Sequence, residues 1–236
     1  VVMAIGVAPE TALAKAAGLA VGIRGSIVVN NRMETSVPDI YAVGDAVQIK
    51  NFVTNTDTLI SLAVPANKQG RIAADNICGG DSHYTGGQGS SIIKIFDMTA
   101  AATGINEKTA KALGIDTDKV ILSPMNHAGY YPGGELMTMK VLFEKETYRI
   151  LGAQIIGFQG VDKRIDVLAT AIRARMKAHQ LIDLDLAYAP PYSSAKDPVN
   201  MAGYIVENIK NGVVKQWYYE DVEKLPRDGS ATLLDV

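Results

Sequence analysis

The sequence predicts an α/β region followed by an α+β domain, and three observations carry that expectation. Near the N-terminus, apolar runs of strand length alternate with helix-forming segments: VVMAIGV before ETALAKAA, then IYAV before a helical stripe that begins at Leu59. The polar, glycine-rich stretch DSHYTGGQGS at 81–90 then breaks the chain. Beyond it, a meander of strands precedes a helix with Ile165, Leu168, Ala169, Ile172 and Met176 on one face.

Composition bounds the function classes. With 236 residues, 47% hydrophobic and 20% charged, the chain can bury a sizeable core as one large or two small domains. A formal charge of −2 gives no electrostatic reason to expect nucleic acid or an anionic membrane as partner. No apolar run approaches the roughly 18 residues of a spanning helix, so a cytoplasmic protein is expected. The single cysteine, Cys78, excludes an internal disulfide framework, and three scattered histidines give no zinc spacing, so no metal site is expected. The chain opens inside VVMAIGV and closes on LLDV, both apparent strands, and is expected to be a piece of a longer polypeptide.

The elements follow in order. Val1–Val7 reads as a buried strand and Glu10–Ala17 as a helix, with Pro9 at its entry and Gly18 at its exit. Ser26–Val29 reads as a short strand stopped by Asn30-Asn31. In TSVPDIYAVGDA (35–46), a turn at Pro38-Asp39 leads to a short buried strand, Ile40–Val43, that ends in Gly44-Asp45. A strand ending this way puts a carboxylate at a sheet rim, where it could accept hydrogen bonds from ligand hydroxyls, and the glycine admits a ligand close to the backbone. A strand followed by a capping aspartate would look the same. The stripe Leu59, Ala63, Ala66, Gly70, Ala73, Ile77 predicts a helix with Pro65 in its first turn and Gly79-Gly80 at its stop. Cys78, at that helix end with no Cys or His partner near in sequence, reads as structural.

After the break, Ser91–Met98 reads as a strand and AAATG as a turn into a helix, Glu107–Leu113, capped by Asn106. Lys119–Leu122 is a strand. Met137, Met139, Val141 and Phe143 alternate with Thr138, Lys140, Leu142 and Glu144, which predicts a half-buried strand, and Arg149–Phe158 returns antiparallel after KETY. Asp197-Pro198 opens a last helix as N-cap and first turn, and Asn211-Gly212 stops it. The tail is expected to hold a short strand, a small helix at Glu220–Leu225, a polar turn and a final strand. Two tyrosine strings, HAGYYPGG (127–134) and AYAPPYSSAKDP (187–198), carry the prolines and glycines of ordered loops. A tyrosine hydroxyl there could donate a proton to a departing thiolate, or simply stack on its prolines.

TSVPDIYAVGDA resembles the second FAD-binding motif of the flavin- and pyridine-nucleotide-dependent disulfide reductases, matched by Thr35, Ile40, Tyr41, Ala42, Val43, Gly44 and Asp45. VVMAIGVAPETALAKAAGL resembles the end of their NAD(P)H-binding domain, and SLAVPANKQGRIAADNICGG the helix whose N-terminus points at the flavin. IIKIFDMTAAATG and GAQIIGFQGVDKRIDVLATAI resemble their dimerisation domain, and YAPPYSSAKDPVN most resembles the coenzyme A-disulfide reductases.

The resemblance implies a partial FAD/NAD(P)-binding, Rossmann-like region followed by a reductase dimerisation domain. Its segments are 1–24 (end of the NAD(P)H domain), 25–80 (FAD segment), 89–211 (dimerisation domain) and 212–236 (linker and start of a rhodanese-like domain). It implies FAD, NAD(P)H and coenzyme A as cofactors or substrate, a homodimer, and Gly44, Asp45, Leu62 and Ala63 as flavin contacts. Tyr130 and Tyr188 become the candidate catalytic residues, with Tyr131 and Tyr192 as alternates and Lys196 as a coenzyme A phosphate contact or a solvated charge. The redox cysteine and the N-terminal dinucleotide fingerprint are absent from this chain, so it is expected to be inactive by itself. An NADH oxidase or peroxidase of the same fold, or a non-catalytic dimerisation module, stays open at this point, as does NADH against NADPH.

Overall fold

The computed structural model describes every residue except Val2, Leu233, Asp235 and Val236. The first region is small: helix α1 (Ala12–Ala16), strands β1 (Ile27–Val28), β2 (Val47–Lys50) and β3 (Asp57–Thr58), and helix α2 (Ala63–Ile77). β1 runs parallel to β2, and β3 pairs antiparallel on the other side of β2. The second region is a five-stranded antiparallel sheet in the order β4-β5-β8-β7-β6, built from β4 (Ser91–Ile95), β5 (Met98–Gly104), β6 (Thr117–Leu122), β7 (Thr138–Glu144) and β8 (Ile150–Gly157). Helix α3 (Glu107–Ala112) joins β5 to β6. Helix α4 (Val161–Arg173) packs on β5 and β8, and α5 (Pro198–Lys210) packs against α4 and the 3-10 helix Ala178–Asp183. This is the α/β plus α+β architecture that the residue pattern predicts.

The core lies between this sheet and α4 and α5. Met137, Met139, Val141 and Phe143 are buried at alternate positions, as the spacing requires, and meet Ile165, Leu168 and Ile172 of α4 and Val199, Ala202 and Val206 of α5. A register shift between Leu142 and Phe143 buries Leu142 as well, so the alternation breaks there. Asn106 caps α3 by accepting from the Thr109 N–H, and Asp197 caps α5 by accepting from Val199 N–H, with Pro198 at the first helical position.

Several expected elements differ. Val1–Val7 forms no strand in its described residues, and Met3, Ile5 and Val7 are exposed; an apolar strand needs neighbours to pair its backbone, and none of the described segments forms a ladder with it. Ile40–Val43 is likewise not a buried strand. Its ladder is a single bridge, Glu34 to Tyr41, and Ile40 and Val43 are exposed. The Gly-Asp pair therefore precedes a strand, β2, instead of ending one. AAATG is part of β5, not a turn: the chain reverses one step earlier, at Phe96-Asp97, where Phe96 takes φ 53° without the Asn-Gly signature that usually marks a hairpin. Ser26–Val29 shortens to Ile27–Val28. The tail holds a 3-10 helix, Tyr219–Lys224, near the expected small helix, and no strand precedes it. The expected final strand falls largely on residues outside the described set. No helix among the described residues is long and apolar enough to cross a membrane.

The tail also does something the sequence did not signal. It lies against β6, one edge of the large sheet. The Tyr218 hydroxyl donates to Asp118 Oδ1 at 2.7 Å, the Tyr218 ring sits under the Lys119 ammonium at 4.3 Å, and Lys119 donates to Glu107 at 2.8 Å and Glu220 at 3.3 Å. These contacts fasten the tail at the Asp118–Lys119 step of that edge.

Two predictions arise from the packing. Gly104 and Gly152 face each other across β5 and β8, and a Cβ on Gly152 would overlap the Ile105 carbonyl. Gly152→Ala is expected to cost about 2 kcal/mol or more, read as a fall in the denaturant midpoint. The second concerns His179, whose buried Nδ1 has no partner while its Nε2 lies 3.3 Å from Lys210 Nζ. Burial, then Lys210 and Lys177, hold its pKa below the ordinary value. The folded state favours the neutral ring, so this contribution is complete above about pH 6.5 and is lost as pH falls towards the folded pKa. His179→Asn is expected to flatten that acid-side slope in thermal melts between pH 7 and 5.

Candidate functional site

The candidate residues fall into two groups in the structure. The first is at the rim of the small sheet. Gly44 takes φ 88°, a conformation open to glycine, and the nearest atom to a Cβ placed there is Ala66 Cβ at 4.0 Å, so its outer side is free for close approach. Its N–H donates to the buried Gln69 side chain of α2 at 2.8 Å, which fixes the turn against the helix. The Ser61 hydroxyl donates to the Asp45 carbonyl at 3.4 Å, bringing the Gly-Asp turn beside the start of α2. Leu62 is the N-cap of α2 and offers no side-chain cap, and Pro65 has no N–H to satisfy. The first-turn amides near Ala63 therefore keep donor capacity beside the exposed Asp45. Gly44, Asp45, Leu62 and Ala63 thus share one open rim. Cys78, at the far end of α2, is a free and exposed thiol.

The second group is in the α+β domain. Tyr130, in the 123–137 loop between β6 and β7, and Tyr188, in the 184–197 loop before α5, lie 58 residues apart, yet their hydroxyl oxygens are 2.8 Å apart. The shared hydrogen bond with Tyr130, and then partial burial, push the Tyr188 hydroxyl above the ordinary phenol value. Tyr131 and Tyr192 stay outside this pair. Tyr131 meets the His127 ring edge-on at 5.6 Å, and Tyr192 is 70% exposed and contributes its carbonyl, not its hydroxyl, to the packing below. Lys196 is exposed, 5.9 Å from the Tyr204 ring.

Beneath the tyrosines sits Arg164, on the buried face of α4 and only 1% exposed. Its Nη2 lies 2.8 Å from the Asn126 carbonyl, 3.3 Å from the Tyr192 carbonyl, 3.2 Å from Ser193 Oγ and 3.0 Å from Asp197 Oδ2. Nη1 reaches the Gly160 carbonyl at 3.2 Å. The Ser193 hydroxyl donates to Asp197 at 2.7 Å, and the Ala128 N–H closes the gap between the loops by donating to the Ser193 carbonyl at 3.1 Å. Lys163, one residue before Arg164, adds contacts to Asp197 at 3.5 Å and the Ala187 carbonyl at 3.3 Å. Burial alone would raise the Asp197 carboxyl, but the Val199 N–H, Arg164 and Ser193 outweigh it and hold the group below the ordinary carboxylate range.

Magnitudes say which contact governs. Tyr130 and Tyr188 are 76% and 47% exposed, so water competes for both hydroxyls and the bond between them adds little net stability. Each bond from a buried guanidinium is worth about 1.5–3 kcal/mol, and these are made out of reach of water. Sequence reasoning read Asp197 only as a helix cap and passed over Arg164 and Ser193. A signal was present: Arg164 stands between Val161 and Ile165 on the apolar stripe of α4, where a charge must be paired to be buried.

Removing one partner of this pair is expected to be severe. Asp197→Asn leaves Arg164 buried without its counter-charge and should cost about 3–5 kcal/mol in denaturant unfolding. The lowered Asp197 pKa means its contribution is present above about pH 4 and is lost as pH falls below that value. The variant is expected to lack this acid-side component.

Comparison with known proteins agrees with both regions. The family model described as pyridine nucleotide-disulphide oxidoreductase matches residues 1–70, and the model for the dimerisation domain of the same oxidoreductases matches residues 90–198. The chain is 36% identical over 205 residues to a coenzyme A disulfide reductase of Staphylococcus epidermidis, covering 86% of this chain and 46% of that protein. It superposes on the crystal structure of reduced Bacillus anthracis CoADR-RHD with TM-score 0.91 and 53% identity, covering 94% of this chain and 40% of that one. It also superposes on a NAD-dependent persulfide reductase from A. fulgidus with TM-score 0.90 and 42% identity, covering 94% and 41%. The chain therefore spans a little under half the length of the curated relatives it matches. Two adjacent models of one family together match more than half of the sequence, in the order of the two folded regions, and the chain belongs to the pyridine nucleotide-disulphide oxidoreductases.

Proposed function

We propose that this chain is the C-terminal part of a cytoplasmic, homodimeric, FAD-dependent NAD(P)H:disulfide oxidoreductase that acts on coenzyme A disulfide or a related persulfide or polysulfide. The observation that carries the reading is the meeting of the Tyr130 and Tyr188 hydroxyls at 2.8 Å, from two loops of a domain whose model is that of reductase dimerisation. Reduction of coenzyme A disulfide by NAD(P)H consumes one proton and releases two thiols. A hydroxyl pair that stays protonated can donate a hydrogen bond to the departing thiolate and deliver that proton.

The residues at the rim fit a flavin. Gly44 lets a ligand approach the backbone, Asp45 can accept from ribityl hydroxyls, and the open first-turn amides of α2 at Leu62–Ala63 favour negative charge on a ring held there. When bound, FAD supplies the electron transfer from nicotinamide to the disulfide chemistry. The single cysteine of this chain is exposed at the far end of α2, which supports a redox cysteine elsewhere in the parent protein. A homodimer is supported by the dimerisation-domain match and by the exposed apolar residues Ile93 and Ile156, which share the sheet face opposite the core and line a cavity of about 410 Å³. The tail from 212 onward as the start of a rhodanese-like domain belongs to the same proposal.

In the full-length flavoprotein, Tyr130→Phe with Tyr188→Phe is expected to lower coenzyme A disulfide turnover by about 10²-fold or more, with the flavin spectrum unchanged. Asp45→Ala is expected to weaken flavin retention instead. A parent protein that reduces oxygen with NAD(P)H but leaves coenzyme A disulfide untouched would overturn the reading in favour of an oxidase.

A further inference from the structure

We propose that Arg164 is a positioning residue: it holds the 123–137 and 184–197 loops in the one register that lets the Tyr130 and Tyr188 hydroxyls meet. The use of that pair in proton delivery rests on the reductase reading, whereas its geometry does not.

Neither loop has regular structure of its own to place its tyrosine. Tyr130 sits in a turn closed by Tyr131 N–H to the Ala128 carbonyl at 2.9 Å, and Tyr188 precedes a turn closed by Tyr192 N–H to the Ala189 carbonyl at 2.9 Å. Each turn is local and leaves its loop free to move relative to the other. The direct ties between the loops are few: the Ala128–Ser193 backbone bond and the exposed hydroxyl pair itself. Arg164 supplies what they lack. Its Nη2 lies among the Asn126 carbonyl of the first loop and the Tyr192 carbonyl, Ser193 and Asp197 of the second, while Nη1 on the Gly160 carbonyl and Nε beside Asp197 fix the plane of the group, all from a helix packed on the sheet. Asn126 is itself tied across the base of its loop, with its side-chain oxygen accepting from Glu135 N–H at 2.9 Å and its N–H donating to the Glu135 carbonyl at 2.9 Å. Any displacement at Asn126 is therefore transmitted to the whole tyrosine loop. Arg164 does not reach the hydroxyls, so its action passes through the two loop backbones.

Lysine at this position would keep a charge for Asp197, but a single ammonium lacks the Nη1 bond to the Gly160 carbonyl and the Nε contact with Asp197 that fix where Nη2 points. That difference separates loop positioning from charge pairing.

The test uses the 236-residue chain labelled with 3-fluorotyrosine, observed by fluorine NMR at neutral pH. Tyr130→Phe and Tyr188→Phe assign two of the ten tyrosine signals. In the otherwise unchanged chain, removing either hydroxyl is expected to shift the resonance of the other. That cross-effect is expected to vanish in Arg164→Met and to shrink in Arg164→Lys. It should weaken in Ser193→Ala, which leaves the ion pair and the fold in place and so serves if Arg164→Met fails to fold. Folded Arg164→Lys and Ser193→Ala variants with the full cross-effect would overturn the proposal. If the cross-effect is lost while the full-length flavoprotein carrying Arg164→Lys turns over coenzyme A disulfide at the unaltered rate, the positioning role stands and the assignment of the tyrosine pair to catalysis fails.

Discussion

The ion pair between Arg164 and Asp197 is the constraint on which the α+β domain turns. A guanidinium and a carboxylate, each nearly free of solvent, are tolerable in a protein interior only when every remaining donor and acceptor is met. Meeting them draws in the Asn126 and Tyr192 carbonyls, the Ser193 hydroxyl and the Val199 amide, from a loop between two strands, a loop between two helices and the first turn of α5. The cost of burying the charges thus becomes the reason that the 123–137 loop, α4 and the 184–199 segment share one position. Hydrophobic packing between the sheet and α4 and α5 gives the domain its bulk, but packing of aliphatic side chains does not choose one loop conformation over another. The polar cluster does.

Much of the scaffold was legible from residue pattern. The alternation from Met137 to Phe143, the stripe of α4, the Asn106 cap and the Asp197-Pro198 start of α5 depend on interactions within a few residues or on a face buried in the same domain. The elements that were misread are those whose partners are not near in sequence. Val1–Val7 and Ile40–Val43 have the composition of buried strands, yet a strand is a relation between segments, and the described chain offers Ile40–Val43 one bridge and Val1–Val7 none. The β4–β5 hairpin is a local exception: Ser91–Met98 reads as one strand and AAATG as a turn, because the tip at Phe96-Asp97 carries no glycine or asparagine to mark the reversal.

The candidate site divides in the same way. Tyr130 and Tyr188 were singled out on resemblance and on the character of their loops, and Gly44, Asp45, Leu62 and Ala63 on a motif and a helix start. Nothing in the sequence says that two tyrosines 58 residues apart share a hydrogen bond. That fact is set by the cluster beneath them, whose key member is an arginine that interrupts an apolar stripe. The docking of Tyr218 between Asp118 and Lys119 was equally hidden, because the strand and helix expected of the tail say nothing of a partner on β6, 100 residues away.

Native-state amide exchange tests the account's central claim, that one buried cluster makes the two tyrosine loops a single unit. The amides of Asn126 and Ala128 in one loop and of Ser193 in the other are hydrogen-bonded, and all three bonds lie around Arg164. The account predicts that they exchange with one common opening free energy, close to that of the α4 core. Two loops that open independently, each well below the core, would contradict it.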